Sequence, residues 1–171
     1  MNQKERAYQR HLYNYLKAPI VLPNFIVWGL REMDIMTISG SGYISEYEIK
    51  TSRSDYARDF REKTFKHTTM RNFFNGDRSN WGHRIANRFW FVTPPGLARD
   101  VRGYAGLIEV DLETGAIEVI QKAPLLHREK ATPKQLTKVC NAMMGYYWDA
   151  WKKRGNELTD DLPTENTESS S

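Results

Sequence analysis

A chain of 171 residues that is 40% hydrophobic and 27% charged has the length of one domain with a real core. The formal net charge of +4 is uneven: Glu157, Asp160, Asp161, Glu165 and Glu168 follow Asn156 with no Lys or Arg among them, which leaves 16 acidic against 25 basic residues in the rest and favours a polyanion as partner. Cys140 is the only cysteine, which excludes an intramolecular disulfide and a cysteine-based zinc site; no apolar run has membrane-span length and no signal-peptide core is present, so a reducing cytoplasm is the default location.

Residues 3–17 put Tyr8, Leu12, Tyr15 and Leu16 on one helical face, and Pro19 ends that helix. Glu5 is its one acidic residue, and a first-turn carboxylate favours the helix dipole. After Pro23, Phe25-Ile26-Val27-Trp28 is a β-rich apolar run too short for a helix, which predicts the first strand. Glu32 then precedes Asp34 by two residues, either as a carboxylate supporting Asp34 from the same face or as a salt-bridged residue opening the strand.

The next stretch, from Glu32 to Lys50, reads as two strands joined across Ser39-Gly40-Ser41-Gly42, with β-branched and aromatic residues flanking a turn of free φ. With Gly40-Ser41-Gly42 as the loop, the hairpin centres on Ser41 and Asp34 faces Glu48. Carboxylates on opposed positions repel, so a positive group belongs between them. Glu48 and Lys50 share a face, and Ile49 points to the core. Two carboxylates and an ammonium on one patch suit phosphodiester hydrolysis with Mg²⁺ or Mn²⁺, which takes a few carboxylate oxygens and activates a bound water. A solvated charged face of a hairpin is the other reading of the same spacing.

Ser52 with Asp55 three residues on matches a capping box, and the helix it opens is predicted to run on through Tyr56, Phe60, Met70 and Phe74 along one side. Its other faces carry Arg53, Arg58, Arg61 and Lys66, placed to contact phosphates or simply solvated. Lys63 and His67 share a face one turn apart. The polar stretch from Asn75 to Gly82 reads as a long loop, where Arg78, Trp81 and Arg84 combine cation and aromatic as for stacking on unpaired bases; Trp81 pinning the loop to the core is the alternative. Arg88 to Thr93 is a strand buried on both faces, and Gly106 to Ile120 forms a second hairpin. The last helix starts with Thr132 as N-cap and Pro133 at its first position, and Gly155 closes it. Leu136, Val139, Cys140, Met143, Tyr147 and Trp151 form its apolar stripe, predicted to face the sheet and to make Cys140 a core thiol. One domain over residues 1–155 with an acidic, disordered tail over 156–171 is expected.

Asp34 beside Glu48-Ile49-Lys50-Thr51-Ser52-Arg53-Ser54-Asp55-Tyr56, followed by Asn87-Arg88-Phe89-Trp90-Phe91-Val92-Thr93-Pro94 and Gly106-Leu107-Ile108, resembles the PD-(D/E)XK nuclease superfamily, and within it the MmcB-like DNA-repair group and related phage proteins. The similarity spans about residues 25 to 125, with Met33 where the family motif has Pro. The resemblance implies a restriction-endonuclease-like α/β fold, an α-β-β-β-α-β core with a mixed central sheet, to which the hairpin and C-terminal helix are additions. It implies Asp34, Glu48 and Lys50 as catalytic residues, with Mg²⁺ or Mn²⁺ held by Asp34, Glu48 and the Ile49 carbonyl and Lys50 assisting the attacking water. It also makes Glu5 a further metal-site candidate, and Lys63 and His67 candidates for contacting the scissile strand.

The expectation is therefore a metal-dependent deoxyribonuclease of repair, recombination or phage DNA processing, acting in the cytoplasm of a bacterium or a phage-infected host. The rivals are a DNA-binding protein of the same fold with negligible or partner-dependent catalysis, and a nuclease acting on RNA or branched DNA.

Overall fold

The structure is a computed structural model, and it describes residues 3–27, 31–77 and 85–160. Trp28, Arg78, Trp81, Arg84 and the tail from residue 161 lie outside them. The element order is α1 (Gln3–Tyr15), β1 (Ile20–Val27), β2 (Arg31–Ile38), β3 (Ile44–Ile49), α2 (Arg53–Glu62), α3 (Thr64–Phe74), β4 (Arg88–Thr93), β5 (Ala105–Val110), β6 (Ile117–Gln121) and α4 (Pro133–Asp160). This is a mixed α/β chain whose six strands form one sheet in the order β1-β2-β3-β4-β5-β6. Neighbours run antiparallel except β3 with β4 and β4 with β5, which are parallel. Those parallel pairs need crossovers, and α2 with α3 provides the first.

Residues up to Thr132 form one compact unit, and those from Pro133 another. In the first, strand alternation sorts two apolar layers. Tyr8 and Leu12 of α1 pack with Ile35, Tyr47, Ile49, Val92, Ile108 and Val110. The intervening positions, Phe89, Phe91, Ala105 and Leu107, pack with Met70 and Phe73 of α3, with Tyr56 and Phe60 of α2 against them. Helices on both faces explain the near-continuous apolar run of β4. Gly106 lies under Trp90: a Cβ there would come 2.6 Å from the Trp90 ring and 2.7 Å from the Ala123 nitrogen. Trp90 in turn stacks on Tyr47 with ring centroids 6.1 Å apart.

The β2–β3 ladder pairs Ile35 with Tyr47, Met36 with Glu46, Thr37 with Ser45 and Ile38 with Ile44, the register expected from a loop centred on Ser41. The turn closes through the Ser39 N–H to the Tyr43 carbonyl at 2.9 Å, and Gly42 takes φ +85°. Asn87 pins the far end of β3: its side-chain oxygen accepts from the Ile44 N–H at 2.7 Å and its amide donates to the Glu129 carbonyl at 2.7 Å.

Three boundaries differ from expectation. β1 begins at Ile20 and runs through Pro23, which is tolerated because β1 is the sheet's edge and its missing N–H costs no ladder bond there. The helix after β3 breaks at Lys63 (φ −106°, ψ 33°) into α2 and α3. The break shifts the apolar phase by one residue, so Phe73 is buried and Phe74 exposed. α4 continues past Gly155 to Asp160, so a helix replaces the first five residues of the expected tail. Of its predicted stripe Val139 is buried, whereas Met143, Tyr147 and Trp151 are 43%, 59% and 58% exposed and Cys140 is an exposed thiol rather than a core one.

Candidate active site

Alternation along β3 turns Tyr47 and Ile49 toward α1 and leaves Glu46 and Glu48 facing α2 and α3, with Lys50 just past the strand end. Opposite them, helical spacing collects Asp59 of α2, the junction residue Lys63, and Lys66 and His67 of α3 on one side. The Lys63 N–H still donates to the Asp59 carbonyl at 2.9 Å, so the break bends the helix without separating these four residues.

The result is a buried charge network. Lys50 Nζ lies 2.8 Å from Asp59 Oδ1 and 3.3 Å from Glu48 Oε2. Lys63 Nζ bridges the same two carboxylates, at 2.6 Å from Glu48 Oε2 and 3.0 Å from Asp59 Oδ1. Lys66 Nζ is 2.7 Å from Glu48 Oε1 and also pairs with Glu46. The His67 ring spans from Asp59 Oδ2 (2.7 Å to Nε2) to the Tyr104 hydroxyl (3.0 Å to Nδ1). Glu48 is 1% exposed and Asp59 3% exposed, so these are pairs in a low-dielectric interior, where one partner without the other is costly.

Asp34 borders this network. Its Oδ2 accepts the Ile49 N–H at 2.7 Å, beyond the last ladder pair, while its own carbonyl accepts from Gln9 Nε2 of α1 at 2.9 Å. The same Gln9 nitrogen donates to Asn24 Oδ1 at 2.9 Å, and Asn24 sits at φ +48°. A side chain from α1 thus takes up the backbone acceptor at Asp34, where the ladder between β1 and β2 skips a pair.

The titration shifts follow from this geometry. Burial, then the charge of Glu48, pushes the Asp34 carboxyl up to about 6, against the Ile49 N–H, Lys50 and Lys63. Burial likewise raises Glu46, with Glu48 adding to it and Lys66 opposing. At Glu48 burial acts upward too, but Lys66, Lys63 and Lys50 outweigh it and hold the carboxyl below its ordinary value. Asp59 is lowered as well, burial being overcome by the His67 hydrogen bond, Lys50 and Lys63. The ionised Asp59 carboxylate accepts from His67 Nε2, whose other ring nitrogen shares a hydrogen bond with the Tyr104 hydroxyl. Four carboxyl groups, Asp34, Glu46, Glu48 and Asp59, thus gather around the three ammonium groups of Lys50, Lys63 and Lys66.

Among the described residues no three His, Cys, Asp or Glu side chains group as a metal cage. The residues nevertheless fit a hard divalent ion of the kind that takes two carboxylates and keeps its waters. Asp34 and Glu48 are the carboxyl pair in question, and the charge of Glu48 acts on Asp34. Both Glu48 oxygens accept from lysines, so an ion there takes over an oxygen that Lys63 or Lys66 holds.

The remaining sequence candidates fall in different places. Lys63 and His67 join the network, His67 also packing among Phe60, Phe89 and Phe91. Lys66, expected on an outward phosphate-facing side, points inward because the Lys63 break rotates α3 and two carboxylates draw it. Arg53, Arg58 and Arg61 are exposed on α2, with Arg58 paired to Asp55 at 2.8 Å. Ser52 caps α2 by accepting the Asp55 N–H at 3.2 Å. Glu32 is exposed opposite Ile26, away from the buried cluster, and Glu5 is half-buried one turn before Gln9.

Sequence reasoning missed Glu46, Asp59, Gln9 and Tyr104. The first two had a signal, since Glu46 is two residues before Glu48 on a strand and Asp59 is one turn before Lys63 on a helix. Gln9 and Tyr104 arrive only through tertiary contacts.

No family model and no curated protein matches the chain. A solved structure of a protein of unknown function from Silicibacter pomeroyi is similar to it at 17% identity, covering 94% of this chain and 93% of that one with a TM-score of 0.54. The likeness is one of fold, carried over nearly the whole length of both chains.

Proposed function

We propose that the protein is a metal-dependent nuclease hydrolysing DNA phosphodiester bonds, built on a restriction-endonuclease-like PD-(D/E)XK core and serving DNA repair, recombination or phage DNA processing. The observation that carries this reading is the convergence of Asp34 on β2 with Glu48 of β3 and Lys50 just past its end, joined by the 2.7 Å hydrogen bond from the Ile49 N–H to Asp34. The order helix, three antiparallel strands, helices, then a strand parallel to β3 supports the same core.

In this reading Asp34, Glu48 and the Ile49 carbonyl would hold Mg²⁺ or Mn²⁺, which would supply charge compensation for the phosphate and a more acidic water. Lys50, fixed by Asp59 at 2.8 Å, would assist the attacking water with its ammonium. Lys63 keeps Glu48 and Asp59 in register. Arg53 and Arg61 on α2 supply exposed cations for the DNA backbone.

A second reading is favoured by one feature. Glu48 is 1% exposed with each oxygen already paired to a lysine, the arrangement of a self-neutralised site in a DNA-binding protein that cleaves only with a partner. Incubating the full chain with Mg²⁺ or Mn²⁺ on duplex, single-stranded and branched DNA and on RNA decides between them. Cleavage of DNA in preference to RNA supports the nuclease, and retention of DNA without cleavage in either metal supports the second reading.

A further inference from the structure

On the far side of His67 from the lysines, a cavity of about 300 Å³ opens between α3 and the segment that enters β5, lined by Phe60, Thr68, His67, Arg71, Arg102 and Tyr104 together with Thr64. We propose that this cavity binds a phosphoryl oxyanion, gripped by Arg71 and Arg102.

Neither guanidinium has an ion-pair partner among the described residues, although both line the cavity. Tyr104 lines the same cavity, and both guanidiniums act electrostatically on its hydroxyl. Both arginine side chains are exposed, so an anion from solvent can reach them, and guanidiniums without a carboxylate partner offer it charge-assisted hydrogen bonds. Gly103 is what brings them close: a Cβ there would stand 3.2 Å from the Phe74 ring, so a side chain would push the 102–104 segment off α3. Arg102 is aimed by stacking over Phe60, its Cζ 5.7 Å from the ring centre.

The hydroxyls refine the ligand. Thr64 spends its proton on the Phe60 and Arg61 carbonyls at 3.1 and 2.9 Å, so Thr68 is the hydroxyl donor facing the cavity. Two planar donor forks and one hydroxyl match a tetrahedral oxyanion with three or more oxygens better than a two-oxygen carboxylate. The volume is at the lower end of small-ligand sites, room for a phosphate with part of what it is attached to. That phosphate belongs either to a free phosphorylated metabolite or to a nucleic-acid backbone.

The inference does not depend on metal or cleavage, so its test runs in EDTA. The full chain is titrated calorimetrically with inorganic phosphate, thymidine 5′-monophosphate and a short single-stranded oligothymidylate. We expect saturable one-site binding of at least one probe, weakened tenfold or more in R71Q/R102Q and several-fold in Thr68→Val. Binding of phosphate and monophosphate assigns a free ligand, and binding of the oligonucleotide alone assigns the backbone. No binding by any probe, or equal binding by wild type and by a R71Q/R102Q protein that melts like wild type, overturns the proposal.

Discussion

Glu48 and Asp34 lie a strand apart, yet loss of charge at each acts in opposite directions on stability. Glu48 is the shared partner of Lys50, Lys63 and Lys66, so Glu48→Ala strands buried ammonium groups and is expected to cost about 3–5 kcal/mol in denaturant unfolding. Asp34→Asn keeps an acceptor for the Ile49 N–H and removes the repulsion with Glu48, so in EDTA it is neutral or mildly stabilising. A Glu48→Ala protein as stable as wild type would refute the network. The pH dependence has a definite sign. Asp34 titrates at about 6 in the fold against an ordinary 3.8, so its protonated form is favoured there, and the stability it contributes is full below about pH 4 and lost as pH rises through 6. Wild type should therefore lose stability relative to Asp34→Asn between pH 4 and 6 in EDTA, with no further change above that range. Asp59 and Glu48, both lowered, act the other way: their contribution holds above the ordinary carboxylate range and disappears in acid below it.

At the scale of elements, two contacts position the strands that carry the site. Gln9 replaces a missing ladder bond at Asp34, and Gln9→Ala removes donors from Asp34 O and Asn24 Oδ1, at an expected cost of about 1–3 kcal/mol. Gly106→Ala drives a methyl into Trp90 and the Ala123 backbone and is expected to cost about 1–3 kcal/mol or more, measured against Gly145→Ala in α4, where a Cβ meets nothing and helix propensity gains about 1 kcal/mol. Equal effects of the two substitutions would contradict the packing of β4 on β5. The β2–β3 register was legible because Gly40-Ser41-Gly42 leaves only one way to fold the two apolar patterns onto each other. The break at Lys63 was not legible: no Gly or Pro marks it, and the apolar period on either side continues as if unbroken. The same absence of a local signal hid the early start of β1, since Pro23 argues against a strand until its edge position is known.

The whole molecule combines an acidic end with a basic remainder, 16 acidic against 25 basic residues before Asn156. DNA binding by the exposed cations of α2 should fall steeply with salt, and R53Q/R61Q should flatten the dependence of log affinity on log salt by about two phosphate contacts. An unchanged slope would remove α2 from the interface. The polyanion partner is an expectation from composition, whereas the inward turn of Lys66 and the exposure of Met143, Tyr147 and Trp151 on α4 depend on which elements meet, which periodicity alone does not specify. The central claim is that Asp34 and Glu48 share a divalent ion that drives phosphodiester hydrolysis. It is tested most directly by single-turnover cleavage of end-labelled DNA with Mn²⁺, with EDTA, and with Asp34→Asn under Mn²⁺. We predict cleavage by wild type in Mn²⁺, none in EDTA, and a loss of about 100-fold or more in Asp34→Asn; cleavage that survives EDTA, or that Asp34→Asn performs at the wild-type rate, would contradict it.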